Sequence, residues 1–457
     1  MINESNNIYN NMFPLWQKCR DVINGQSAIK KGGELYLPRP NGMDEKEYKN
    51  SYLRRAKFPS FTARTHNALN GLAMAKPVMK NIDEKLYQYL ENVNGEGKNL
   101  DKFIEDIFSD TLITSYSGVL VDAPSTTDVS ITEAEKMGLF PYMAYYPAES
   151  IINVQTNVVN RNKTVSLVVL QENVNVPIVG DPYKVNNKKI YRALILEDGI
   201  YKQRIYDEHA ILISEVIPMK KGKPFTYIPF FFTTDILPST PLLENLADVN
   251  ISWYMKSADL ENGLHWTSVP TPYSIGHRMN ENDSPIQLGG AKFIFFPEDV
   301  TQVGYLEFSG NGLKAISEEM NSDRETMAIL GARIIATEKK GVESARTADI
   351  HRIGENSVLA SYCNKVSDCM TRATKEYLEW IINADITSDF DIHINTDYNL
   401  EQMDSSTLTA LVSAWQTGGI SKRTLFNNLK EGEIINADKT FEEEQQEIEE
   451  DGISLGE

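Results

Sequence analysis

The chain has 457 residues, 41% of them hydrophobic, which is enough for a large core and, by length, for about three domains or one elongated subunit. Its 64 Asp and Glu outnumber 45 Lys and Arg, for a net charge of −19. A protein that grips nucleic acid by neutralising phosphates is basic, so either DNA is irrelevant to this chain or the chain meets DNA without holding it.

Cys19, Cys363 and Cys369 are too few for a disulfide framework, and an odd number suits a reducing compartment. Cys363 and Cys369 fall on one predicted helix at a spacing that is not a metal spacing, and they read as buried thiols. The opening MINESNNIYNN lacks the basic and apolar regions of a signal peptide, and no apolar run approaches the roughly 20 residues that span a bilayer. The expectation is a soluble protein made in a cytoplasm, with no membrane partner.

Residues 1–11 are Asn-rich and expected to fray, ahead of a short helix over 12–23. A charged helix over 44–57 and another over 61–75 follow, with Arg54, Arg55 and Lys57 on a solvated face. Leu100, Phe103, Ile104, Ile107, Phe108 and Leu112 share one side of a helix over 100–116, which runs into a strand at 118–122. From 140 to 232 the pattern is mainly strands: 142–146, 151–154, 165–169, 190–196, 200–206 and 211–216, punctuated by turn signals.

The best helix of the sequence spans 241–265. Thr240 is placed to cap it and Pro241 to open it. Leu242, Leu246, Val249, Trp253, Leu260 and Leu264 recur at steps of three, four or seven and form one apolar stripe. Glu244, Asn250, Lys256 and Asp259 fall on the opposite side. Strands are predicted at 272–275 and 293–296, then a helix from 313 with Ile316, Met320, Met327 and Ile334 on one face. It ends at the polar run 337–341. Residues 344–382 read as one very long helix, or two with a kink near Gly354. A strand at 390–395 accounts by alternation for Asp389, Asp391, His393 and Asp397, which form no convincing metal cluster. Helices over 405–415 and 421–429 lead to the acidic run FEEEQQEIEED.

Catalytic signatures are missing. Gly95-Glu96-Gly97-Lys98-Asn99 glances at a phosphate loop, but Asn99 stands where Ser or Thr is required and Asn92 where an earlier Gly is. There is no dinucleotide fingerprint, no His-Glu-x-x-His and no Gly-x-Ser-x-Gly, and the six histidines are scattered. No catalytic residue, cofactor or metal is expected.

Three stretches resemble portal proteins of tailed bacteriophages or prophages, the ring-shaped conduits through which DNA enters and leaves a capsid. They are YLPRPNGMDEKEYKNSYLRRAKFPSFTARTHNALNGLAMAKP, PLLENLADVNISWYMKSADLENGLHWTSVPTPYSIG, and SGNGLKAISEEMNSDRETMAILGARII followed by ESARTADIHRIGENSVLASY. The resemblance runs from Tyr36 to the C-terminal helices and lies in wording, not in an invariant site. It implies an α+β, portal-type elongated subunit. Residues 1–139 would form an N-terminal wing part, 140–236 a β-rich wing and clip block, and 237–266 a stem-like helix. Residues 267–385 would hold the wing sheet and channel helices, and 386–457 a crown-like region with an acidic tail.

The resemblance further implies a non-enzymatic, dodecameric homo-oligomeric ring at one vertex of the virion. Double-stranded DNA would pass through it during packaging and ejection. The terminase packaging motor, a head-tail adaptor, and the major capsid and scaffolding proteins would be its partners. Arg54, Arg55 and Lys57 would then be open to inter-subunit ion pairing. Asn311, Lys314, Lys339 and Lys340 flank the two loops nominated for the channel, and the 242–264 stripe is the nominated stem packing. Two alternatives remain: another phage structural or connector protein without a DNA channel, and a cytoplasmic enzyme with an unrecognised carboxylate site.

Overall fold

The Asn-rich start forms the first helix, α1 (Asn7–Asn24), because the Asn6 side chain accepts a hydrogen bond from the Tyr9 amide at 2.7 Å. Residues 7–11 of the stretch expected to fray are thus helical, and the helix begins five residues before the predicted Met12. The computed structural model describes residues 2–124, 140–159, 161–178, 181–268, 271–275, 287–288, 291–292, 294–296, 302–306, 311–335, 357–386, 389–398, 411–415, 419–431 and 439–450.

Gly25, at φ 81°, ends α1 and starts α2 (Gln26–Gly32). A helical run, α3, occupies 45–55 with a π turn at Tyr48–Tyr52, followed by α4 (Phe61–Ala73). Next comes α5 (Leu100–Thr114), capped by Asn99 and closed by Ser115 in the left-handed region. The later long helices are α6 (Glu244–Thr267), α7 (Asn311–Ile335) and α8 (Val358–Ile381). None of the described helices is long and apolar enough to cross a membrane.

Helices and antiparallel sheets are largely segregated, so the fold class is α+β. β1 (Met79–Asn81) pairs with the late strand β17 (Asp391–His393). β2 (Ser117–Asp122) lies between β3 (Tyr142–Pro147) and β11 (Phe230–Phe232), antiparallel to both. Every residue of β2 is buried, as in a strand covered on both faces. Gly118 is required there, since a Cβ would fall on the Phe230 ring. The next sheet is an antiparallel meander of β4 (Ile151–Val159), β5 (Asn162–Ile178), β6 (Asp181–Glu197), β7 (Ile200–Tyr206) and β8 (Leu212–Val216). β5 and β6 are each 17 residues long, far longer than the pattern predicts, and a short hairpin of β9 (Met219–Lys220) and β10 (Lys223–Pro224) follows the meander.

Two cores meet at α1. On one side Trp16 stacks on Tyr116 at 5.9 Å, Tyr116 stacks on Phe232 at 5.7 Å, and the cluster continues through Leu120, Val168, Leu194 and Tyr201. On the other side Cys19 and Val22 join Ile29, Tyr48, Tyr52, Phe58, Ala247, Ile251 and Tyr254. α8 packs against β2, β3 and β11, with Cys363, Val366, Met370 and Ala373 buried.

Buried charges fix the layers. The Arg20 guanidinium donates to Asp110 at 2.5 and 3.1 Å and to both Glu149 oxygens, while the Tyr145 hydroxyl donates to Asp110. Burial opposes the Arg20 charge, yet the bonds to Asp110 and Glu149 leave its pKa raised. Between the two sheets, Asp122 accepts from Gln203 at 2.8 Å, and Arg192 bonds Glu172 at 2.6 Å and Gln203 at 3.0 Å. Burial pushes the Asp122 carboxyl up, against the field of Arg192 and the Gln203 bond.

The chain divides into two compact units, Met1–Thr396 and Asp397–Glu457. The second holds α9 (Lys422–Glu431) and α10 (Phe441–Glu450). α10 opens on a capping box: the Thr440 amide donates to Glu443 at 2.8 Å, and the Glu443 amide donates to Thr440 Oγ1 at 3.2 Å.

Arg20→Ala is expected to destabilise the first unit by about 2–3 kcal/mol, since it leaves two partly buried carboxylates without their cation. Lys49→Ala breaks an exposed pair with Glu45 and should cost under about 0.5 kcal/mol. Urea titrations of both variants check the ordering, and equal midpoints would refute the anchoring role of Arg20.

Candidate functional site

The predicted stem helix forms, but with different ends and a different buried face. Pro241 does not open it. The Leu242 amide donates to Ser115 Oγ at 2.8 Å and the Glu244 amide to the Pro241 carbonyl at 3.1 Å, so 241–243 is a turn pinned to the end of α5. Thr240 is accordingly not the cap, and Leu243 at the N-cap position supplies no side-chain bond.

The buried face of α6 carries Leu246, Ala247, Asn250, Ile251, Tyr254, Ser257 and Ala258. Of the expected stripe, Leu246 is buried, while Leu242, Val249, Trp253 and Leu260 are half-buried and Leu264 is 47% exposed. The centre of burial is displaced by about one residue, roughly 100° of helical turn. Small residues at 247, 257 and 258 let α6 approach α1 and α3 closely, a signal that counting large apolar residues passes over.

Asn250 is the clearest departure. Placed on the polar side by periodicity, it is fully buried. Its Oδ1 accepts from the Thr62 amide at 3.2 Å and from Thr62 Oγ1 at 3.1 Å, and its Nδ2 donates to the Pro59 carbonyl at 3.1 Å. The Ser60 side chain does not cap α4, so a side chain from α6 takes one of the amides that the start of α4 leaves open. One helical turn pair later, Ser257 Oγ accepts from the Lys57 amide at 3.0 Å.

α7 packs antiparallel to α6. Lys256 reaches Asp323 at 2.8 Å, and Gly263, near the end of α6, faces Leu313, near the start of α7. A Cβ at Gly263 would overlap the Leu313 side chain, so the glycine permits the close approach. On α7, Met320, Met327 and Ile334 are buried, Ile316 is half-buried, Glu319 lies 3.9 Å from Lys256 of α6, and the outer face carries Lys314 and Glu318. Between the two helices lie short strands: β12 (Thr271–Ile275), β13 (Gln287–Leu288), β14 (Ala291–Lys292), β15 (Ile294–Phe296) and β16 (Gln302–Leu306). β12 pairs antiparallel with β16 and parallel with β15.

Of the nominated channel residues, Asn311 and Lys314 fall on described residues. Asn311 is the first residue of α7, and exposed Lys314 lies 3.7 Å from Glu318 one turn on. Lys339 and Lys340 lie outside the described residues, beyond the other end of α7. The 25-residue α7 is about 37 Å long, with Asn311 and Lys314 in its first turn. Lys57 pairs with Glu261 of its own chain, and Arg54 is exposed.

The phosphate-loop likeness fails on geometry as well. Asn94 Oδ1 takes the Glu96 and Lys98 amides at 3.0 Å, Asn92 Oδ1 the Gly97 amide at 2.7 Å, and Asn99 Oδ1 the Lys102 amide at 2.9 Å. The donors that would cradle an anion are bound by the loop's own side chains. No group of His, Cys, Asp and Glu among the described residues could hold a metal. All three cysteines are buried, and burial pushes the thiols of Cys19 and Cys369 up to about 12.

A family model described as a domain of unknown function (DUF4055) matches residues 241–381, less than half of the chain. Among solved structures, the chain is similar to one from the neck of an empty GTA particle computed with C6 symmetry, at 10% identity and TM-score 0.37. It is also similar to one from the virion of a native gene transfer agent (GTA) particle, and to one from the neck of a native GTA particle computed with C12 symmetry. These are 11% identical, with TM-scores of 0.34 and 0.35. Each likeness covers 86% of this chain and 95% of the other. Scores of this size do not establish a common fold. No curated protein matches the sequence.

Asn250→Ala removes the three bonds that tie α6 to the start of α4 and should cost about 2–3 kcal/mol, read from chemical denaturation. A loss under about 0.5 kcal/mol would mean that water replaces the amide without penalty. Cys19 and Cys369, being buried and protonated, should resist iodoacetamide at pH 8 until the chain unfolds. Mass spectrometry of native and urea-treated protein checks this, and fast alkylation of the native thiols would contradict their burial.

Proposed function

We propose that this chain is the subunit of a portal-type ring at one capsid vertex of a tailed phage or prophage, forming the passage for double-stranded DNA. The observation that carries the proposal is the antiparallel α6–α7 pair with a small β module between its two helices. It coincides with the stretches whose wording resembles portal proteins. α6 and α7 would be the paired stem helices. The clip would then be the strands between 271 and 306, which leave α6 and re-enter α7 at one end of the pair, and not part of the 140–236 block. Asn311 and Lys314 would lie at the clip end, which leaves the run containing Lys339 and Lys340 as the loop for the lumen.

The net charge fits such a passage. An acidic wall repels phosphates, so a duplex can move without forming many ion pairs, each of which would add friction and salt dependence. A heterologous interface that closes by rotation produces a ring from one kind of subunit. The motor, adaptor, capsid and scaffolding partners follow only from the resemblance.

Electron microscopy of the purified full chain, with native mass measurement of the same sample, is the test. Rings of about a dozen subunits around a pore wide enough for duplex DNA are expected. A homogeneous monomer or dimer at high concentration, unchanged by scaffold or capsid protein, would overturn the proposal. In assembled particles, Lys339→Glu with Lys340→Glu should alter DNA packaging or retention while rings still form; loss of the ring itself would remove this loop from the lumen.

A further inference from the structure

β5 and β6 run well past their neighbours. β4 pairs with β5 only over 162–170, and β7 pairs with β6 only over 191–197. Beyond those limits the two strands pair with each other alone, in register from Glu172↔Ile190 to Pro177↔Val185. Among the described residues no strand joins either outer edge of this ribbon.

Residues 173–176 and 183–189 are all exposed, including Val174, Val176, Tyr183 and Val185. A two-stranded ribbon with both faces wet is marginal by itself, and its edges present unpaired backbone groups to any neighbour. Its charge also opposes that of the chain. These residues contain Lys184, Lys188 and Lys189 and no acid, within a chain of net charge −19.

We propose that the β5–β6 ribbon is an arm that docks on the acidic surface of a second copy of this chain, its lysines meeting carboxylates and its valines and Tyr183 covering apolar side chains. Charge complementarity selects the occupant, because the surface the arm lacks is what the rest of the same chain supplies. Recognition of bare phosphate would use the lysines but give Val174, Val176 and Val185 no role. One surface of the required kind is the β7–β8 turn and edge, where Glu208 is exposed beside Ile211, Leu212 and Ile213. Arm and receiving surface differ, so the contact is heterologous and propagates around a ring. The proposal rests on the ring assembly above, whose subunit contact it assigns.

The test uses the full chain, with sedimentation and native mass measured over a concentration and salt series. A variant carrying Lys184→Glu, Lys188→Glu and Lys189→Glu should need at least about tenfold more protein to assemble, with melting unchanged because the substituted side chains are exposed. A second variant replaces residues 174–188 with an Asn-Gly turn between the paired Asn173 and Lys189, and should show the same loss. If both variants form rings at wild-type concentrations, the arm is refuted and the ring stands. If the wild type never assembles, both proposals fall. If the variants assemble normally but lose duplex DNA binding, the arm is a nucleic-acid contact and the proposal is wrong.

Discussion

A single guanidinium holds the two halves of the first unit in register. Arg20 projects from α1 and is shared between Asp110 on α5 and Glu149 in the turn after β3. Because α1 also places Trp16 in the sheet core and Cys19 and Val22 in the helical core, the helix cannot turn about its axis without disturbing both. Lys18 adds a third tether, to Glu244 and Asp248 of α6 at 3.2 and 2.6 Å. The ion pairs contribute little net energy beyond what well-packed apolar groups would give. They do specify one arrangement of helices against sheets, since any other leaves charges buried without partners.

Polar side chains in the interior serve as locators elsewhere too. Asn250 and Ser257 fix α6 against the segment 57–62, and Arg192 with Gln203 joins the meander to Asp122 on β2. In each case a long-range contact satisfies a group that the local structure leaves open. α6 is therefore attached to the body of the unit by bonds whose geometry is directional, while α7 adds packing against α4 and α8.

How much of this is legible in the sequence follows from what periodicity measures. Strands β3 and β7 and helices α5 and α7 emerge close to their predicted positions because their apolar spacing is regular and their neighbours are turn formers. α1 is underestimated because its first turns are Asn-rich and Pro14 lies within it, so its length depends on the Asn6 cap and on packing. Asn250 reads as surface because no local pattern distinguishes a solvated amide from one that caps a helix nearly 190 residues away. The length of β5 and β6 is hidden for a different reason: their outer halves have no buried face to impose alternation. For the candidate site, the stem-like helix is legible as an element while its buried face and its first turn are not. The antiparallel α6–α7 pairing, which brings Gly263 beside Leu313, leaves no local pattern either.

The tethers on α1 also order events during synthesis. The ribosome releases α1 ahead of its partners, which follow at separations of 90, 129, 226 and 230 residues. Chains made at about 5–20 residues per second leave α1 unable to complete its contacts for tens of seconds or less, until α6 has emerged. In that interval its apolar faces are open, and the acidic character of the chain becomes an asset, since like-charged nascent chains repel one another. α1 is thus made well before the partners that seat it. Closure of the helical core is in effect a signal that translation has passed α6.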